Sequence, residues 1–337
     1  MTSLSAPPRR VGWDEIPAQV RDAVADLLGS PVVAARSQSG GFSPGSADRV
    51  LCADGRRAFV KTATADRNPQ VVGIHRREAA VAAVLPGGVP APRLIGTAGG
   101  DDWIALAFEE IDGASPRLPW QPDALEATLD AFARVAAAPL DAAARRVLRP
   151  IDGHVAELAG GWARLLADPP TDDHTHAPSG EPGHPLTAAL TDPDVAWAWE
   201  RAPRWAAAAP DVVAQCRGES LVHYDARSDN ILLDAAGTAV LVDWPWAARG
   251  APWFDAVLLL VDVRMHDADA DIARLRATHP VFAAADDAAV AGVLAAFAGF
   301  MLDAGRRPAP PGLPTLSEFQ LTQGAVACCL LREQLGA

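Results

Sequence analysis

The spacing of apolar and polar positions divides the chain into two parts of different character. In the first, residues 13–28 place Ile16, Val20, Ala23, Val24, Leu27 and Leu28 at helical spacing, and Gly29 supplies a stop. Short apolar runs bounded by turn residues follow at 32–36, 48–53 and 57–60, with Ala53-Asp54-Gly55-Arg56 as a tight turn before the last. These runs predict a three-stranded meander that ends in Lys61. A helix beginning with His75-Arg76-Arg77-Glu78-Ala79-Ala80-Val81 comes next, with Glu78 on its first turns. The stretch 87–92 breaks it, and 93–97 and 103–108 read as a fourth and a fifth strand. From Asp123 onward the pattern changes to long, Ala-rich helices, predicted at 123–138, 151–166, 267–277, 286–302 and 317–335. A Pro-rich segment at 306–314 separates the last two, and no internal repeat is present.

One stretch of the second part breaks the helical pattern. Residues 221–244 read LVHYDARSDNILLDAAGTAVLVDW, with apolar runs at 231–233 and 240–242 around a turn containing Gly237, so they predict a β-hairpin. Folding it back brings Asn230 and Asp243 together at its open end. Their amide and carboxylate oxygens are hard donors of the kind Mg²⁺ takes when phosphates and waters complete its shell. Asp225 lies on the loop leading into the hairpin, where a carboxylate can accept a hydrogen bond from an incoming hydroxyl.

The order His223-x-Asp225-x-x-x-x-Asn230, followed by a strand ending in Asp243, resembles the aminoglycoside phosphotransferase and choline kinase family of the protein-kinase-like fold. Trp244 and Pro245 stand where a protein kinase has Phe and Gly, which favours the small-molecule branch. The resemblance implies an α+β, bilobal protein-kinase-like fold, in which an N-terminal antiparallel five-stranded sheet with a helix precedes a mainly helical C-terminal lobe. The lobes would span 1–110 for nucleotide binding and 111–337 for catalysis and acceptor binding, with a helical insert at about 150–215.

The resemblance also implies roles. Asp225 orients and deprotonates an acceptor hydroxyl, Asn230 and Asp243 hold Mg²⁺, Lys61 grips the phosphates of ATP or GTP, and Glu78 holds Lys61. Ser39, Gly40, Gly41, Phe42, Ser43 and Gly45 belong to a loop covering the donor, where glycines let backbone amides approach phosphate oxygens. Taken alone, that loop reads equally as a plain turn. Glu109 and Ile111 would offer main-chain contacts to the purine from the connection between lobes, and Asp255 would support the catalytic loop from behind while capping its own helix. His223 is expected to brace the loop. Arg227 either reaches the transferring phosphoryl group or pairs with a neighbouring Asp. A rival reading is a nucleotide-binding, pseudokinase-like regulator without an acceptor. Protein phosphorylation is disfavoured, because 244–252 leaves little room for a peptide platform.

Composition narrows the partners. With 29 Lys and Arg against 42 Asp and Glu, the charge of −13 repels phosphate backbones and disfavours nucleic acid. It suits a cationic small-molecule acceptor, although most of these charges serve to solvate the surface. Asp262, Asp267 and Glu318 lean the same way and are equally compatible with ordinary exposed charge. Cys52, Cys216, Cys328 and Cys329 show no metal or disulfide spacing, so a reducing cytoplasm is the default. The start carries no secretory pattern. The apolar stretch 288–302 falls short of the roughly 20 residues that cross a bilayer, and reads as a buried helix. Trp197, Trp199 and Trp205 are core anchors before they are walls of a site. Asp172, Asp173, His174 and His176 lie in a loop at 168–185 that reads as solvated rather than metal-binding. Oligomeric state is not legible.

Overall fold

The structure, a computed structural model, describes residues 11–38, 45–169, 185–309 and 313–337. Ser39, Gly40, Gly41, Phe42 and Ser43 of the expected donor loop, and the His174 and His176 loop, lie outside the described residues.

The N-terminal part contains α1 (Ala18–Leu28), β1 (Val32–Ser37), β2 (Ser46–Cys52), β3 (Arg57–Thr64), α2 (Pro69–Ala82), β4 (Leu94–Gly99) and β5 (Trp103–Glu109). The five strands form one antiparallel sheet in the order β1-β2-β3-β5-β4. Alternation along the strands gives it two buried faces. Val20, Val24 and Leu28 of α1 pack with Val50, Val60 and Ala107 on one side, and Val71 and Val72 of α2 pack with Leu106 and Phe108 on the other. The helix α2 starts earlier than the pattern predicts. Asn68 accepts the Gln70 amide at 2.9 Å and Pro69 occupies the first helical position, so the start is a capped proline and Glu78 lies in the third turn.

The connection leads through β6 (Gly113–Ala114), which pairs with the hairpin of the second part, to α3 (Pro122–Ala137), α4 (Ala142–Val147), α5 (Asp152–Ala159) and α6 (Gly161–Ala167). Then come α7 (Pro185–Ala189), α8 (Pro193–Trp199), α9 (Ala202–Ala207) and α10 (Ala209–Gln215). Strands β7 (Ser220–Val222), β8 (Ile231–Asp234), β9 (Ala239–Leu241) and β10 (Ala248–Gly250) carry the site. They are followed by α11 (Phe254–His266), α12 (Ile272–Thr278), α13 (Asp287–Gly305) and α14 (Leu316–Gln334). One large apolar core, with Trp162, Phe132 and Phe254 fully buried, joins these helices.

The stretch expected as one helix at 151–166 is two, meeting at Gly160 and Gly161. A Cβ on Gly161 would stand 2.3 Å from the Gly299 carbonyl carbon, so the break lets α6 lie directly on α13. The apolar helix α13 has a mean hydropathy of 1.7 over an 18-residue window, of which 72% is buried inside the protein. It is a core helix. Trp205 is buried and Trp197 and Trp199 pack against the same core, away from the cavity described below.

Candidate active site

The hairpin forms as its apolar pattern predicts. Ile231 pairs with Leu241 and Leu233 with Ala239, and below the last pair the Val242 amide donates to the Asn230 carbonyl at 2.9 Å. That bond closes the open end and places Asn230 opposite the residue before Asp243. Asp243 leaves the strand with φ at +67°, a left-handed conformation that Asp tolerates better than most residues, and the preceding loop holds Tyr224 at +75°. Two such positions within one site mean that the surrounding contacts hold the backbone against a cost of roughly 1–3 kcal/mol each.

Those contacts are visible. The Asp255 carboxylate, buried on α11, accepts the amides of His223 at 2.7 Å and Tyr224 at 2.8 Å. It therefore caps the loop before Asp225 and not its own helix, whose N-cap is Trp253. His223 Nδ1 accepts from the Asp225 amide at 3.3 Å and its Nε2 lies 3.0 Å from the Val242 carbonyl, which assigns a neutral ring with the proton on Nε2. The imidazole thus links the loop carrying Asp225 to the strand that delivers Asp243. Asn230 Nδ2 donates to the Asp225 carbonyl at 3.0 Å and to its carboxylate at 2.8 Å.

From the other lobe, β3 delivers Lys61. Its Nζ lies 2.6 Å from Glu78 and 2.9 Å from Asp243, with Glu78 and Lys61 both buried. Burial works against the ammonium, but Asp243 and Glu78 outweigh it and raise the Lys61 pKa. Burial pushes Glu78 up, to about 7, against the pull of Lys61. Burial also opposes the Asp243 charge, yet the Lys61 ammonium bonded to it holds this carboxyl down at about 2.

A cavity of about 470 Å³ opens between the lobes, with Lys61, Asp225, Asn230 and Asp243 on its walls. Phe59 and Phe108, cross-strand partners on β3 and β5, also line it, as do Leu232 and Val242.

A family model described as "Phosphotransferase enzyme family" matches residues 41–293, most of the chain. The chain belongs to that family. Solved phosphotransferases share its fold. A thermostable mutant of aminoglycoside phosphotransferase APH(4)-Ia, in ternary complex with AMP-PNP and hygromycin B, superposes with a TM-score of 0.57 at 15% identity, over 95% of this chain and 99% of that one. Spectinomycin phosphotransferase APH(9)-Ia, in complex with ADP and spectinomycin, gives 0.58 at 12%, over 94% and 98%. A Plasmodium vivax ethanolamine kinase gives 0.56 at 10%, over 89% and 83%. No curated protein matches by sequence.

Within this phosphotransferase, the remaining expected site residues fall as follows. Gly45 immediately precedes β2, where a Cβ would lie 2.4 Å from the Thr62 carbonyl oxygen, so contact with β3 alone requires glycine. The Glu109 amide is spent on Arg93 O at 2.9 Å, inside the sheet, and the Ile111 carbonyl accepts the Gly113 amide at 3.0 Å. Both residues line the cavity. Arg227 lies on the cavity wall in a bidentate pair with Asp229, at 2.9 and 2.6 Å, and 3.9 Å from Asp225. Burial disfavours its charge, but Asp225 and Asp229 raise its pKa.

Three contributors escaped the sequence. Glu110 accepts from Arg57 at 2.8 Å and from Arg49 at 3.3 Å, and so ties the connection between lobes to β2 and β3. Arg77 on α2 donates to the Pro245 carbonyl just after Asp243. Trp246 stands half-exposed on the cavity wall with its ring edge-on to His154. Each is a charged or aromatic residue whose partner is distant in sequence, and no spacing announces it.

Proposed function

We propose that this phosphotransferase moves the terminal phosphoryl group of a nucleoside triphosphate to a hydroxyl of a small molecule, with an amino-bearing acceptor such as an aminoglycoside, amino sugar or related amino alcohol as the first class to test. The observation that carries the reading is that the bonded chain Glu78–Lys61–Asp243 and the bonded pair Asn230–Asp225 line one cavity. A nucleotide-binding regulator would not need Asp225 held by both Asn230 and His223.

In this mechanism Lys61 faces the donor phosphates, and Glu78 keeps the ammonium in place. Asp225 has one carboxylate oxygen engaged by Asn230 Nδ2. The other can accept a hydrogen bond from the acceptor hydroxyl and take its proton as the oxygen–phosphorus bond forms. Arg227 neutralises charge beside that oxygen. The donor set fits Mg²⁺. With its NH₂ turned to Asp225, Asn230 directs its carbonyl oxygen elsewhere, and Asp243 keeps a carboxylate oxygen beyond the one on Lys61. Among the described residues no group of three His, Cys, Asp or Glu would hold a metal alone. Such a site suits an ion that arrives with phosphates. Bound there, Mg²⁺ would neutralise charge on the transferring group.

The nucleotide would lie under Phe59 and Phe108, between a donor lobe at 1–110 and an acceptor lobe at 111–337. A panel of hydroxylated amines and antibiotics, assayed for acceptor-stimulated release of ADP or GDP, tests the reading. Stimulation by at least one amino-bearing compound is expected. Stimulation by neutral alcohols alone would remove the cationic acceptor class.

A further inference from the structure

The helix α11 carries a second buried carboxylate seven residues after Asp255. Seven residues are close to two helical turns, so Asp255 and Asp262 face the same side about 10 Å apart along the axis. Asp262 is 3% exposed. One of its oxygens accepts the Ser228 hydroxyl at 3.1 Å, the other accepts Trp120 Nε1 at 2.9 Å, and its backbone carbonyl lies 2.8 Å from His266 Nδ1. Ser228 opens the 3₁₀ turn Ser228–Asn230 that ends in Asn230. Asp255 thus grips the loop before Asp225, and Asp262 grips it after.

We propose that Asp262 is a positioning residue for the catalytic loop, holding Ser228 so that Asn230 stays fixed in orientation toward Asp225 and toward the metal and phosphates of the donor. The proposal rests on the functional reading above for what the loop serves, but the mechanical claim stands on the contacts alone. The loop between the two grips is short, none of its residues 225–230 lies in a strand, and among the described residues Asn230 makes its side-chain bonds back into the loop. The Ser228 bond anchors the end of the loop that orients Asn230 to α11, beside the main-chain contacts of the hairpin and the Arg227 guanidinium over the Phe319 ring. Trp120, itself buried, fixes the other carboxylate oxygen.

The two bonds of Asp262 give the test. Ser228→Ala removes the arm to the loop and leaves Asp262 with Trp120 and, at 3.6 Å, His266, whereas Trp120→Phe removes the arm to the wall and leaves Asp262 with Ser228 and His266. Calorimetric titration with Mg²⁺ and AMP-PNP is expected to show affinity reduced about tenfold or more in Ser228→Ala and within about twofold of wild type in Trp120→Phe. Hydrogen exchange of the amides at 225–230, in the protein without nucleotide, is expected to quicken about tenfold in Ser228→Ala only. Equal effects of the two variants on loop exchange would reduce Asp262 to a structural partner of Trp120 and overturn the proposal, as would wild-type exchange in Ser228→Ala. If the wild-type protein bound no nucleotide at all, the functional reading would fail, and the exchange comparison would still decide the brace.

Discussion

At the scale of single residues, Lys61 is the most constrained side chain. It lies between two carboxylates of opposite tendency, Glu78 pushed toward neutrality by burial and Asp243 held ionised. Lys61→Met removes the cation both carboxylates face, and kcat for phosphoryl transfer is expected to fall about 10²–10³-fold, the range for losing one group that stabilises developing charge. Glu78→Gln is expected to act less on kcat and more on KM for the nucleotide, because Lys61 retains Asp243 as a partner. Steady-state kinetics over nucleotide concentration separates the two, and equal losses in both variants would contradict this division of roles. Asp255→Ala leaves two buried loop amides without acceptors, each costing about 1–3 kcal/mol, and denaturant titration should show a less stable protein.

Among the elements, the contact of α6 with α13 depends on absent side chains. Gly161→Val would force a branched side chain where even a Cβ is 2.3 Å from backbone, so a loss of about 1–3 kcal/mol or failure to fold is expected by thermal unfolding. The same pair of helices is joined by Asp303, whose buried carboxylate meets Arg164 at 2.6 Å, Arg306 at 3.0 Å and Arg307 at 2.7 Å. Burial works to raise the Asp303 pKa, but the arginines outweigh it and the net shift is downward from 3.8. A lowered folded value means that the stabilisation is complete above the unfolded value and is lost as pH falls through the folded one. Asp303→Asn should therefore be destabilised at neutral pH, by on the order of 2 kcal/mol. It should also show a shallower fall in stability than wild type below about pH 4 in denaturant titrations. An unchanged acid slope would contradict the assignment.

These elements show what the sequence disclosed. Strand and hairpin positions followed from alternation, and folding of that hairpin brings His223, Asp225, Asn230 and Asp243 into one neighbourhood. The start of α2 was missed because Asn68 and Pro69 cap the helix ahead of its apolar repeat. The double helix at 151–166 was missed because only a contact with Gly299, far along the chain, explains Gly161. Asp255 supports the loop before Asp225 as the resemblance implied, but its expected role as a cap of its own helix does not appear, because its oxygens accept amides more than thirty residues earlier.

For the whole molecule, the two cores on the faces of the N-terminal sheet and the helical core of the second part enclose a cavity between them, with Lys61 and Asp243 bonded across it. A nucleotide that binds only this assembled arrangement stabilises the fold by mass action, about 2.7 kcal/mol at a hundred times its Kd. Thermal unfolding with Mg²⁺ and AMP-PNP should shift the midpoint upward in wild type and less in Lys61→Met. An equal shift in both would mean that the nucleotide binds elsewhere.

The central claim is that Asp225 is the base of a phosphoryl transfer while the rest of the site binds the donor. Asp225→Asn keeps the shape and the contact with Asn230 but cannot take a proton. Single-turnover transfer from labelled ATP to an acceptor that stimulates the wild-type enzyme is the direct measurement, with nucleotide affinity measured on the same preparations. The account predicts a rate reduced about 10²–10⁴-fold with affinity for Mg²⁺ and AMP-PNP within about threefold of wild type. Transfer at a near wild-type rate by Asp225→Asn would contradict it.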